Sequence, residues 1–326
     1  MALNDSLFDV RIDRFKHLGS PSAVVEQIDG ELFREFAVQL PAGGVTAVLG
    51  RSGVGKSTLL TQLGLLGDSR QISGEIVYSP PGGVKLRYCS DKFDRAQVRN
   101  RDFGFALQSS HLMPTLTCRA NIGLPLAMRG EDWQVLVNNL LIHVDPDRRL
   151  LRRADAYPGQ ISGGERQRIG LLRALVHDPL VLFADEPFNN LDDVATDSLW
   201  NLMRRWLAGE LVGESVDKLR KRSLILVTHD LEIAVRHADN FLVFHADGLV
   251  SGMRIWTRDE LFAAASAQDR AEPLDHDPRD SKTSLAAGEP SDEEVERMRH
   301  LVAVWIKHSA REFIDGRWTE SQRSSR

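Results

Sequence analysis

Residues 50–58 read GRSGVGKST, and their types and spacing point to phosphate chemistry. Gly50, Gly53 and Gly55 let the backbone turn tightly and aim N–H groups at phosphate oxygens. Arg51, Ser52, Val54 and Thr58 complete the loop, and the helix that follows brings its positive end to the same place. Lys56 has the reach for a β- or γ-phosphate, and the Ser57 hydroxyl can join a Mg2+ shell. A second group closes the apolar run PLVLFADEP at 179–187. Asp185 is a hard oxygen ligand suited to Mg2+, and Glu186 is a candidate general base that orients an attacking water. Gln108 ends DFGFALQ and His229 ends SLILVTH, so both are expected at strand tips. Ligands bind at that edge in open parallel sheets. The last group is ISGGERQR at 161–168, where Ser162, Gly163 and Gly164 stand at the mouth of a helix with no nucleophile or metal ligand beside them.

The elements that must position these residues are legible in the pattern. Residues 7–49 read as strands, LFDVRI, LFREFAVQL and GGVTAVLG. A helix is expected from Lys56 to about Leu65. Residues 70–107 carry β signals, and residues 115–155 read as helical with breaks near Pro125, Gly130 and Pro146. Beyond 160, helices alternate with the strands PLVLFAD, SLILVTH and NFLVFHADG, which is the pattern of a parallel sheet covered on both faces. Residues 266–290 are rich in Pro, Asp, Ser and Gly and read as a flexible linker. Ser291 with Glu294 forms a capping-box signal. Val295, Met298, Leu301, Val302, Trp305 and Ile306 follow at helical spacing. That apolar face either packs on its own domain or docks a partner, and on the linker reading residues 268–326 are removable without unfolding the rest.

The totals narrow the classes. The chain has 326 residues, 42% hydrophobic and 27% charged, with a formal net charge of −5. This is globular composition, and it argues against a dedicated nucleic-acid binder with a basic surface. DRRLLRR at 147–153 fits a solvated helix face. Two cysteines without ligand spacing, Cys89 and Cys118, disfavour a disulfide framework or a zinc site. The N-terminus lacks the basic start and apolar core of a signal peptide, and no stretch approaches the roughly 18–20 apolar residues of a membrane helix. The chain is therefore expected to be soluble, with any membrane role coming through a partner.

In order, GRSGVGKST, Gln108, ISGGERQR, ADEP, NNLD and THD resemble the ATP-binding cassette ATPases over about residues 5–255. The resemblance implies an α/β P-loop NTPase cassette with a RecA-like core, an antiparallel β subdomain and an α-helical subdomain at about 109–160. The domains so implied are the cassette at 1–265, the linker at 266–290 and a C-terminal helical extension at 291–326. It implies ATP and Mg2+ as ligands and a head-to-tail pair of cassettes, the second copy identical or a different ATPase subunit. Ser162, Gly163, Gly164 and Glu165 would then meet the partner copy's ATP, and Asp192 of NNLD would shape the contact between copies. Gln108 would sense Mg2+, Glu186 would be the base and His229 would hold the γ-phosphate. Phe15 is the candidate for stacking on adenine. Glu165 departs from the family's usual Gln, and Phe188 and Asn189 depart from the small polar residues usual in the lipoprotein-releasing and macrolide-efflux group that the chain resembles.

GFALQSSHLMPTLTCRANIGLPLAMRG is similar to the lipoprotein-releasing and macrolide-efflux group, whose membrane partners are separate chains. His111, Leu112, Met113 and Pro114 would offer a membrane-spanning permease an apolar face, holding this chain at the cytoplasmic face of the cell membrane. The competing reading is a cassette ATPase that works on DNA or ribosomes. Members of that kind insert long coiled coils before the signature or carry two phosphate loops; here there is one loop, and only a short stretch separates Gln108 from Ser162.

Overall fold

Alternation along the central strands sorts their side chains into two cores. The computed structural model describes residues 6–16, 31–68, 72–108, 110–144, 149–189, 191–211, 220–247, 250–268, 290–307, 313–314 and 317–318. Its first half holds strands β1 (Ser6–Lys16), β2 (Glu31–Pro41) and β3 (Gly44–Leu49), helix α1 (Lys56–Leu63), strands β4 (Ile72–Tyr78) and β5 (Leu86–Arg87), helix α2 (Arg95–Asp102) and strand β6 (Phe103–Ala106). Helices α3 (Cys118–Ala127), α4 (Gln134–Val144), α5 (Arg149–Arg152) and α6 (Gly163–Leu175) follow. Then come β7 (Val181–Asp185), α7 (Asp193–Leu207), β8 (Ser223–Val227), α8 (Leu231–His237), β9 (Asn240–Asp247), β10 (Val250–Thr257), α9 (Arg258–Gln268), α10 (Asp292–Lys307) and the short pair β11 (Phe313–Ile314) and β12 (Arg317–Trp318).

The main sheet runs β10-β9-β3-β8-β7-β6. Its members are parallel apart from β10, which is antiparallel to β9 at the edge. On one face Val48, Phe183, Ile225, Leu242 and Phe244 meet Leu59, Leu60 and Leu63 of α1 and the inner residues of a second, antiparallel sheet, β2-β1-β4-β5. An aromatic cluster fixes that seam: Phe8 stacks on Tyr78 at 5.1 Å, and Phe103 meets Phe183 edge-on at 5.2 Å. On the other face Val45, Ala47, Leu49, Leu182, Ala184, Leu224, Leu226, Phe241 and Val243 meet the helices. Offsetting two cores by one residue along each strand is the direct consequence of the period of two.

Several elements differ from the sequence expectation. Helix α2 lies inside the stretch read as β. It is short, Asp94 caps it by accepting from the N–H groups of Ala96 and Gln97, and it carries too few apolar residues to show a helical stripe. Helix α3 continues through Pro125, where a break was expected; the proline lies near its C-terminal end, where only two more residues follow. The strand before Gln108 ends at Ala106, and Gln108 lies in an exposed bend beyond it. Strand β10 and helix α9 were not anticipated, and α9 runs to Gln268, into the segment expected as linker. The remainder of that segment, 269–289, lies outside the described residues, as does Pro146.

Helix α10 begins as its sequence signal predicts. The Ser291 N–H donates to Glu294 Oε2 at 2.7 Å, and the Glu294 N–H donates to Ser291 Oγ at 3.3 Å. Val295, Met298, Leu301 and Val302 are all buried in the helical-side core. The helix lies against α8, α9 and β9, with Arg236 paired to Asp292 at 2.8 Å. Of the two readings of this face, packing on its own domain is the one seen, and the reading that it docks a partner is set aside, because the chain's own core covers it. The side chain of Trp305 lies outside the described residues.

Candidate nucleotide-hydrolysis site

The loop after β3 reverses direction through Gly53 and Gly55, whose φ values of +78° and +105° belong to the left-handed region. A side chain at either position would strain the turn. Gly55 caps α1 without any side-chain bond, so the first N–H groups of that helix keep their donors for a ligand. Lys56 is buried, and its Nζ donates to the carbonyls of Gly50 and Arg51, both at 2.9 Å. Burial pushes its pKa down, while Glu186 and Asp185 oppose that shift by their charge. The two carboxylates therefore act electrostatically on the same ammonium. Ser57 is exposed and Thr58 is half-buried on the first turn of α1, and Arg51 and Ser52 lie exposed at the loop's tip.

Strand β7 delivers both carboxylates. Asp185 is its last residue, in register with Val227 of β8. The Glu186 N–H extends the ladder by one bond to the Val227 carbonyl at 2.9 Å. The backbone then departs: Glu186 has φ +49°, a conformation uncommon in residues other than Gly, Asn and Asp. That turn brings Glu186 Oε2 to 2.7 Å from His229 Nδ1 and 3.4 Å from the His229 N–H. Glu186 is largely shielded, and the His229 ring is 68% exposed, so the pair opens outward. Asp185 Oδ1 is buried and, among the described residues, has no hydrogen-bond partner. A buried carboxylate oxygen without a donor is costly unless a cation meets it. The residues present thus fit Mg2+, with an unsatisfied carboxylate oxygen, the Ser57 hydroxyl and the Gln108 amide as an all-oxygen donor set.

The ISGGERQR segment is a capped helix start. Ser162 Oγ accepts from the Glu165 N–H at 3.2 Å, and Glu165 Oε2 accepts from the Ser162 N–H at 2.8 Å. Glu165 is held below the ordinary carboxylate range first by that backbone bond, with Arg153 and Arg168 contributing charge. Ser162 and Gly163 are exposed, and Gly164 is half-buried. Asp192 is exposed and caps α7 by accepting from the Ala195 N–H at 2.7 Å. Phe15 pairs through its backbone with Phe33 of β2 and Ile72 of β4, and its side chain lies outside the described residues.

Two residues that the sequence reading did not single out tie these pieces together. Arg173, on the last turn of α6, donates from Nη1 to the His111 carbonyl at 2.9 Å and from Nη2 to the Ser110 carbonyl at 2.6 Å. Gln167, also on α6, donates to the Asn189 carbonyl at 3.3 Å, three residues after Glu186. No local pattern marks either residue, because each acts on backbone far away in sequence. The adjoining loop is fixed from α3, where buried Asn121 accepts from the Met113 N–H and donates to the carbonyls of Met113, Leu116 and Thr117. Met113 is left 48% exposed beside it.

This chain is similar in sequence and fold to known proteins. The family model described as "ABC transporter" matches residues 33–189. The lipoprotein-releasing system ATP-binding protein LolD of Legionella pneumophila (strain Lens) is 36% identical over 222 residues, 67% of this chain and 88% of that protein. LolD of Colwellia psychrerythraea (strain 34H / ATCC BAA-681) is 36% identical over 220 residues, 67% of this chain and 78% of that one. Among solved structures, the dimeric post-hydrolysis state of the ATP-binding cassette MJ0796 bound to ADP and Pi superposes with a TM-score of 0.60 at 22% identity, covering 77% of this chain and 98% of that one. A second dimeric structure of MJ0796, a bacterial ABC transporter cassette, gives 0.58 at the same identity and coverage.

Proposed function

Because this chain belongs to the ATP-binding cassette ATPases of ABC transporters, we propose that residues 50–58, Asp185, Glu186 and His229 form one half of an ATP hydrolysis site, completed by Ser162–Glu165 of a second ATPase subunit. The chain is a nucleotide-binding ATPase subunit, and the membrane-spanning permease it drives is a separate chain. Among the described residues no helix is long and apolar enough to cross a membrane. The working position is the cytoplasmic face of the membrane, held there through the permease. His111–Pro114, with exposed Met113, is the face offered to it. No nucleic acid is involved, and neither alternative target, DNA or the ribosome, is favoured by any observation.

The observation that carries the reading is the convergence of Lys56, the unpartnered Asp185 Oδ1 and the Glu186–His229 pair at one sheet edge. The loop N–H groups and Lys56 bind the triphosphate; phosphate oxygens replace the carbonyls of Gly50 and Arg51 as acceptors for Nζ. Ser57, Asp185 and Gln108 would hold Mg2+, which when bound would neutralise charge on the phosphate oxygens. Glu186 orients the attacking water and takes its proton at a carboxylate oxygen. His229 holds Glu186 and presents its exposed ring toward the γ-phosphate.

The test is Glu186→Gln. Nucleotide affinity is expected to persist within a few-fold while turnover falls by about two orders of magnitude or more, the scale of lost general-base catalysis. Bound MgATP should then accumulate a stable dimer, measured by light scattering. Wild-type turnover in this variant removes Glu186 as the base.

A further inference from the structure

Helix α6 does more than present Ser162 at its N-terminus. Along its length it holds the two loops that lie beside this chain's own nucleotide site. Arg173 forks across the consecutive carbonyls of Ser110 and His111, two and three residues after Gln108, at 2.6 and 2.9 Å. Gln167 bonds the Asn189 carbonyl, three residues after Glu186. Gly170 completes the grip: a Cβ there would lie 2.9 Å from Ser110 Cβ, so the helix and the loop meet at a distance only glycine allows. A planar guanidinium reaching two adjacent carbonyls fixes orientation as well as distance.

A small gap interrupts the apolar packing at the same seam. A cavity of about 20 Å3 lies between α6, residues 105–107 and the middle of α7, bordered by Ser110, Gln167, Gly170, Pro187 and Leu199. Buried Gln167 Oε1 has no hydrogen-bond partner among the described residues. That space is room for about one water, and the direct tie between α6 and residues 110 and 111 is the Arg173 fork.

We propose that Arg173 is a positioning residue that makes residues 110–111 and helix α6 move as one body, so that nucleotide held at this chain's Gln108 sets the position of Ser162–Gly164 against the nucleotide of the second copy. The coupling is reciprocal by linkage: the second copy's nucleotide, gripped by α6, biases Gln108 in turn. The two ATP sites of a dimer thereby read each other through one side chain in each chain. The inference rests on the two-copy site proposed above.

The experiment uses the full chain in the Glu186→Gln background, where MgATP drives the dimer. Arg173→Met removes both donors; Arg173→Lys keeps the charge but cannot fork across two carbonyls. Each chain's affinity for a fluorescent ATP analogue is measured below the dimerisation concentration, and the dimer Kd by sedimentation with MgATP. The analogue should bind both variants within about twofold of the parent. Dimer Kd should rise about tenfold or more for Met, the scale of two charge-assisted bonds, and by an intermediate factor for Lys. With Glu186 restored, the Hill coefficient for ATP should fall to 1 in Arg173→Met. A merely structural role would lower nucleotide affinity and Tm together and leave the dimer Kd of folded chains unchanged. If Arg173→Met does not fold, Arg173→Lys decides alone. A parent that fails to dimerise with MgATP refutes the two-copy reading and this inference together. A dimerising parent whose folded Arg173 variants keep its dimer Kd overturns the inference alone.

Discussion

The Glu165 carboxylate is engaged by its own helix. It accepts from the Ser162 N–H, and Ser162 Oγ accepts from the Glu165 N–H, so the residue that departs from the family's Gln completes a capping box. Gln has the same reach and the same acceptor oxygen, which explains how either residue serves at this position. Replacing Glu165 by Gln is therefore expected to leave Tm within about 1 °C and to keep ATPase turnover within a few-fold. Glu165→Ala should lower Tm by about 1–3 °C, from a cap worth about 1 kcal/mol in a chain of this size. The pH dependence follows from the sign of the shift. The folded-state pKa of Glu165 lies below the ordinary value of 4.5, so its contribution is fully present above that pH and is lost as pH falls through the folded value. Acid unfolding should begin at higher pH in the Ala variant, and a matching acid limb would contradict the cap. Lys56 carries the other residue-scale prediction. Lys56→Ala should weaken ATP binding about tenfold or more, read by equilibrium titration, because it removes a buried cation whose donors serve the loop.

At the scale of elements, α10 is part of the core. Met298 and Val302 are fully buried and lie in one cluster with residues of α8 and β9. Met298→Ala should cost about 2–5 kcal/mol, and ending the chain at residue 289 should lower Tm sharply, against the removable tail that the linker composition suggested. Calorimetry of the two chains decides, and an unchanged Tm after truncation would mean that α10 contributes nothing to the core. The sequence announced where this helix starts, through Ser291 and Glu294, but not what it packs on, because an amphipathic stripe names no partner. The central strands were legible for a better reason: a run such as LVLFAD is buried on both faces, and its apolar continuity is visible without any contact map. Helix α2 offered almost no stripe and stayed hidden. Helix α9 carried a readable signal that went unused: Thr257 and Glu260 form the reciprocal cap, at 2.8 and 3.2 Å. Glu186 and His229 lie one and two residues past strands that the apolar pattern marks, whereas Arg173 and Gln167 answer to backbone carbonyls that only the fold brings near.

At the scale of the molecule, the site proposed here is divided between copies, and Gly163 allows that division to be tested cleanly. Gly163 is exposed at the first position of α6, and a Cβ there meets nothing closer than Arg166 Nη2 at 3.8 Å. Aspartate in the first turn of a helix is favourable to the chain that carries it. Gly163→Asp is thus expected to fold with an unchanged Tm and to bind ATP normally on residues 50–58. It places a negative charge where a partner copy's triphosphate would arrive, and like charges brought together at a dry interface cost several kcal/mol. Lys56→Ala has the opposite defect: a poor cradle and an intact α6 start. Each variant alone should hydrolyse ATP slowly. In a mixed dimer, one site combines the good cradle of the Gly163→Asp chain with the intact Ser162–Gly164 of the Lys56→Ala chain, and the other site combines both defects. Random pairing of equal amounts gives about half mixed dimers with one sound site of two, so turnover should recover to at most about a quarter of wild type, less where the defective site holds back the sound one. Recovery on mixing has no explanation in which one chain holds a complete site. Two inactive variants that stay inactive when mixed, although shown by crosslinking to pair, would remove the composite site and return ISGGERQR to the role of an ordinary helix cap.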